Sequence, residues 1–256
     1  MRTVKHFFRQ TLLLCLILCL AQLPLDAEAA SKKVKNKFTQ GTIRVDKKKC
    51  VYWTLAPQKV TEQTPLIVFL HGSSERGERA LVSGLPAMIN AGDVQISDAV
   101  VLVPQAPEGV HWVRYQKQLM AVIDEVEKDL GLTDRNLVLA GFSAGATGVW
   151  RIVSENPGKF SKALCISGRI WDPVEVKAFK NCDVKVVLGT LDENIPPASA
   201  KAFVKKLKKK KYSVEQIEYR ANHNELQKLA FRNEHILEWL CAPVEPETTP
   251  SPTKSK

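Results

Sequence analysis

Histidine is scarce in this chain of 256 residues, with five copies against 27 acidic and 37 basic side chains. Any chemistry that needs an imidazole must therefore come from His6, His71, His111, His223 or His235. Cysteine is limited to six, and none of the spacings is that of a zinc site, so neither a metal nor another cofactor is expected. No internal repeat is found, which argues against solenoid and propeller architectures. Nucleic-acid-binding motifs are also missing, so the formal charge of +10 is not read as the mark of a DNA or RNA partner. An uncleaved membrane anchor at the N-terminus is the disfavoured alternative reading. The apolar core at 12–25 is interrupted by Gln22 and Pro24 and falls short of the roughly 20 residues that a spanning helix needs.

That same stretch has the layout of an export signal. Arg2, Lys5 and Arg9 lead into the apolar run 12–20, and Ala27-Glu28-Ala29 offers small residues at the spacing of a cleavage site. Residues 1–30 are expected to be a signal peptide cut near Ala29 or Ala30, giving a secreted or extracytoplasmic protein. A basic flexible segment, 31–38, should follow, then one catalytic domain over 39–242 and a disordered Pro/Thr/Ser/Glu tail over 243–256. Much of the charge sits in the runs 32–37, 47–49 and 205–211. In 198–211, Ala202, Phe203 and Leu207 form an apolar stripe, so the lysines read as the solvated face of an amphipathic helix; weak association with an anionic cell-surface polymer is the alternative. Without Cys15 and Cys19, the cysteines that remain are Cys50, Cys165, Cys182 and Cys241, which an oxidising compartment would pair in any of three ways. Cys165 lies in an apolar run and reads as a buried thiol, whereas a Cys182–Cys241 bridge is geometrically open.

From Thr39 onward, short β-branched runs alternate with helical spacing, the pattern of an α/β fold with a mostly parallel sheet covered on both faces. The eight expected strands are 42–45, 51–55, 66–70, 100–103, 137–140, 163–166, 184–188 and 214–219, of which the first two form an antiparallel pair. Helices are expected at 115–130, with Leu119, Val122, Ile123, Val126 and Leu130 on one face, at 143–155, and at 225–240. In such sheets the crossovers bring every strand's C-terminal end to one rim, where ligand sites lie. His71, Gln105, Ser143, Asp192 and His223 all fall at such ends.

The pentapeptide Gly141-Phe142-Ser143-Ala144-Gly145, between a strand and a helix, is a nucleophile elbow, a tight turn whose flanking glycines lift a serine hydroxyl above the strand ends. Serine needs an imidazole to take its proton and a carboxylate to hold that imidazole in the right tautomer. His223, directly after the last strand, is the candidate base. His6 lies in the signal region, His71 begins the loop after the third strand, His111 sits in a loop, and His235 lies within the last helix. Asp192 is the candidate acid, ahead of Glu193 and then Asp172. The order Ser143, Asp192, His223 is that of α/β-hydrolases. The two donors required for a tetrahedral oxyanion would be the backbone amides of Ala144 and Ser73.

His71-Gly72-Ser73-Ser74-Glu75-Arg76-Gly77, Val103-Pro104-Gln105-Ala106-Pro107 with Trp112, and Gly141 to Trp150 together resemble the secreted esterase branch of the α/β-hydrolases. That branch includes predicted peptidases and depolymerase-like and feruloyl-esterase-like enzymes. The likeness covers about 66–240. Ser74 stands where these proteins usually have glycine, and Ala144-Gly145-Ala146 replaces the more usual Met-Gly-Gly. The resemblance implies hydrolysis of carboxylic esters, with a small ester or an acylated polysaccharide as substrate and with Gln105 and Trp112 lining the pocket. The remaining walls would come from loops 73–86 and 168–178. A peptidase would use the same groups, but the chain has no added propeller or evident lid domain to recognise a peptide terminus. A catalytically silent binding module would be expected to lack one of the three residues, and none is missing.

Overall fold

The computed structural model describes residues 38–133, 136–171 and 173–244. The expected signal peptide, nearly all of segment 31–38, Asp172 and nearly all of the expected tail lie outside the described residues.

Eight strands form one sheet: β1 (Thr39–Val45), β2 (Lys48–Leu55), β3 (Leu66–Leu70), β4 (Val100–Pro104), β5 (Leu137–Phe142), β6 (Lys162–Ile166), β7 (Asp183–Gly189) and β8 (Val214–Tyr219). Their spatial order is β1-β2-β4-β3-β5-β6-β7-β8, with antiparallel pairing only at β1–β2 and β2–β4. The chain goes from β3 out to β4 and then crosses back over β3 to β5, so the order reverses beside β3 and β5. In open α/β sheets that reversal opens a crevice at the strand C-termini.

The helices are α1 (Gly84–Ala91), α2 (Gln116–Leu130), α3 (Ala144–Glu155), α4 (Ala198–Lys209), α5 (Glu225–Arg232) and α6 (Glu234–Cys241). Strands β3, β4, β5 and β6 are buried along their whole length because both faces are covered. Leu66, Val68 and Leu70 point into one core with Leu119 and Val122 of α2, Val149 and Trp150 of α3 and Phe203 of α4. Ile67 and Phe69 point into the other, with Leu85 and Met88 of α1, Phe231 of α5 and Ile236 of α6. Among the described residues, each face of the sheet thus carries three α-helices.

The fold departs from the sequence reading in four places. The final helix is broken at Asn233, whose backbone is extended (φ −80°, ψ 107°). Its side-chain oxygen accepts from His235 N and its amide donates to Tyr219 Oη, so α6 starts from a new cap. Residues 84–91, of which 84–86 were expected in a loop, form α1. The inward stripe of α4 is Ala200, Phe203, Val204 and Leu207, leaving Ala202 exposed. All four described cysteines are free thiols, and Cys182 belongs to one core while Cys241 packs on the other, so the sheet separates them.

Candidate active site

The elbow forms where β5 meets α3. Ser143 has φ 54° and ψ −115°, a strained conformation for a residue with a side chain. It is held on both sides: its N–H donates to Ile166 O at 2.9 Å, and its carbonyl accepts the first helical bond, from Thr147 N, at 2.9 Å. Two glycines permit the turn. A Cβ on Gly141 would lie 2.5 Å from the Gly145 carbonyl carbon, and one on Gly145 would lie 1.9 Å from Leu70 O.

His223, after β8, brings its Nε2 to 2.9 Å from Ser143 Oγ. Its Nδ1 is 2.9 Å from Asp192 Oδ2 and 2.9 Å from Ser167 Oγ. With hydrogen on Nδ1 facing the carboxylate, Nε2 is left to accept from the Ser143 hydroxyl. The imidazole ring also packs on Phe142, with centroids 4.8 Å apart. Asp192 is buried after β7 and accepts from Ile195 N at 2.9 Å and from the Ser167 hydroxyl. Burial acts to raise its pKa. The hydrogen bonds from Ser167, Ile195 and His223, with the charge of His223, outweigh that and hold the carboxyl below its usual value.

Ser143, Asp192 and His223 are therefore brought together from three distant segments. Glu193, the second candidate acid, is exposed, and Asp172 lies outside the described residues. Ser167 is the member that sequence reasoning missed. It directly follows β6 with φ 53°, and its N–H donates to Val187 O at 2.9 Å, which fixes its hydroxyl between carboxylate and imidazole. The sequence signal was its place before Gly168 at a strand's C-terminal end, on the same rim as the other site residues.

On the opposite side of Ser143, His71 is fully buried and organises the loop that carries Ser73. Its Nδ1 donates to Gly72 O at 2.7 Å, while Nε2 accepts from Ala106 N and the Gln105 amide, both at 3.2 Å. Burial lowers its pKa, which keeps the ring neutral and suits an Nε2 that accepts twice. Gln105 was expected in the pocket wall and is instead buried behind the loop. Its side-chain oxygen accepts from Ala80 N at 2.9 Å, and its nitrogen donates to Glu75 O and Ala106 O at 2.9 and 3.0 Å. An amide with all these partners inside the protein has little left for a ligand. Trp112 does line the cavity, and its Nε1 donates to His71 O at 2.9 Å.

The cavity of about 240 Å³ is lined by Ser73, Arg76, His111, Trp112, Ser143, Ala144, Thr147, Arg169, Trp171 and Ile195. Ser73 and Ala144 both reach it, and as the first residue of α3 Ala144 has an amide without an intrahelical acceptor. Among the described residues no group of three or more His, Cys, Asp or Glu is placed to hold a metal ion.

No family model and no curated protein matches this sequence. The solved structures do supply relatives in shape. A thermostable esterase superposes with a TM-score of 0.65 at 23% identity, covering 81% of this chain and 63% of its own. The fluorophosphonate-binding serine hydrolase F of Staphylococcus aureus gives a TM-score of 0.62 at 12% identity, covering 80% of this chain and 98% of its own. An acylaminoacyl peptidase from Pyrococcus horikoshii gives 0.61 at 12% identity, covering 82% of this chain and 41% of its own. This chain thus spans under two thirds of the esterase and under half of the peptidase. Its fold is the α/β-hydrolase fold, shared here with esterases, peptidases and other serine hydrolases.

Proposed function

We propose that this chain is an exported serine hydrolase that cleaves carboxylic esters through an acyl-enzyme. The observation that carries the reading is the unbroken line from Ser143 Oγ through His223 to Asp192, with 2.9 Å at each link, ending in an open cavity. In this reading the Ser143 hydroxyl attacks the ester carbonyl while its proton passes to His223 Nε2. Asp192 stabilises the imidazolium that results. The amides of Ala144 and Ser73 receive the oxyanion, and loss of one such donor typically costs on the order of 10² to 10³ in rate. His223 then returns the proton to the departing alkoxide, and water enters by the same base to release the acid. The modest cavity favours a short acyl group or a single ring over a long chain. Small esters and acylated polysaccharides meet that condition, and the N-terminal signal would deliver the enzyme to them.

The test is a panel of esters of increasing chain length, run beside Ser143→Ala and an aminopeptidase substrate. Ester cleavage should exceed amide cleavage and fall by about 10⁵ or more in the variant. A fluorophosphonate should label Ser143 in the wild type. Amide cleavage in excess of ester cleavage would replace the esterase reading with a peptidase. Absence of labelling together with absence of turnover would point to a silent binding module.

A further inference from the structure

Two guanidinium groups line the cavity that holds Ser143. Arg76 lies on the loop after β3 and Arg169 on the loop after β6. Because β5 runs between β3 and β6, the two loops approach the serine from opposite sides of its strand. Both arginines are half-buried. A guanidinium has five N–H donors. Among the described residues the Arg76 guanidinium has one long contact, Nη2 to His111 Nδ1 at 3.3 Å, and that of Arg169 one hydrogen bond, Nη2 to Asn194 O at 3.4 Å. Among the described residues neither takes part in an ion pair, although other cations, including Lys117 and Lys201, do find carboxylates. The described residues that line the cavity include no Asp or Glu. The lining also includes the apolar side chains of Val113 and Ile195 and the exposed ring of Trp171.

From this we infer that the substrate is an anionic ester, one whose acyl or alcohol part carries a carboxylate that Arg76 or Arg169 receives while its apolar body rests against Trp171. The inference rests on the reading of Ser143 as an ester-cleaving nucleophile. An unpaired, partly desolvated guanidinium binds a carboxylate through two parallel N–H···O bonds, which favours the anion by roughly tenfold and upward in affinity. The same cations would also favour the tetrahedral oxyanion of any ester, charged or neutral. The informative quantity is thus the ratio between matched substrates rather than the absolute rate.

Two matched pairs separate the alcohol side from the acyl side: para-acetoxybenzoate against its methyl ester, and phenyl hydrogen adipate against phenyl methyl adipate. Each kcat/KM is divided by the rate of alkaline hydrolysis of the same ester, to remove differences in intrinsic reactivity. At low salt, at least one pair should favour the anionic member by about tenfold. That preference should shrink toward parity as salt rises to about 1 M, where the screening length is about 3 Å. It should also collapse to within twofold in the Arg76→Gln, Arg169→Gln double variant. A ratio at or below one in both pairs, or a preference that persists in the double variant, overturns the inference. If neutral esters are still cleaved in a Ser143-dependent way, the serine-hydrolase reading survives that result. If no ester of either kind is cleaved, both readings fall together. The wild-type ratio and its salt dependence require no variant to fold.

Discussion

The two rims of the sheet both contain a buried charge, and they use it differently. At the rim formed by the starts of β6 and β7, Lys162 is buried with its ammonium donating to Trp239 O at 2.6 Å and Ala242 O at 2.5 Å, the carbonyls at the end of α6. The ammonium also lies 5.5 Å from the Trp239 ring centroid, with Lys185 at 5.2 Å, while Trp239 Nε1 donates to Asp183 at 2.6 Å. Burial lowers the Lys162 pKa, and the nearby Asp183 charge opposes that shift. Every strong donor and acceptor in this cluster is used by another part of the chain, which pins the C-terminal helix to the sheet. At the other rim, Asp192 is buried and receives three hydrogen bonds, but the line that starts from it ends at Ser143 Oγ, which faces a cavity. Burial of a charge alone therefore does not mark a site. What marks it is a satisfied network whose last atom is left open.

This contrast predicts a clean separation of effects. Asp192→Asn should lower kcat by about 10⁴, because the amide would no longer hold the tautomer that lets Nε2 accept from Ser143; steady-state kinetics on the best ester would show it, and a loss under tenfold would break the distinction. Lys162→Met should leave kcat within about twofold and lower stability by about 2 kcal/mol, since two carbonyls at a helix end lose a charged donor. The midpoint of urea unfolding measures that loss, and a parallel collapse in activity would show the rims to be coupled.

Ser167→Ala should be milder, with a fall in kcat of about tenfold. It should also raise the Asp192 pKa in the folded state. The ionised Asp192 contributes stability above the ordinary carboxylate range, and that contribution is lost as pH falls through its lowered folded value, so in the variant the loss begins at higher pH. Denaturation midpoints collected against pH would reveal the shift. The smallest effect belongs to His71. Its folded pKa lies below the ordinary value of 6.5, so the unfolded chain takes up the proton first, and stability should decline as pH drops from about 6.5 toward the lowered value. Thermal midpoints across that window should fall in the wild type.

The sheet was legible because strands 66–70, 137–140 and 163–166 are continuous apolar runs too short for helices, each closed by a turn or a cap. The three residues from Ser143 to His223 were legible because the elbow motif names one of them and strand ends name the others. Glu225 to Leu240 has helical spacing throughout, and only the packing of Asn233 against Tyr219 decides where it breaks. Helix α1 did carry signals, with Ser83 before it, Pro86 in its first turn and a left-handed Gly92 after it, but its short apolar stripe was hidden among loop residues. Gln105 and Ser167 were illegible in their roles for one shared reason. An amide or a hydroxyl is assigned by its neighbours in space, and those neighbours are between 1 and 56 positions away in sequence.

Gly145 seats the first turn of α3 directly on the carbonyl at the end of β3, where even a methyl group would collide. Ser143 is thereby gauged against the strand that launches the loop bearing Ser73. Any side chain at position 145 would press on Leu70 O, so the spacing between Ser143 and the loop bearing Ser73 is set by main-chain contact and is beyond adjustment by side-chain repacking.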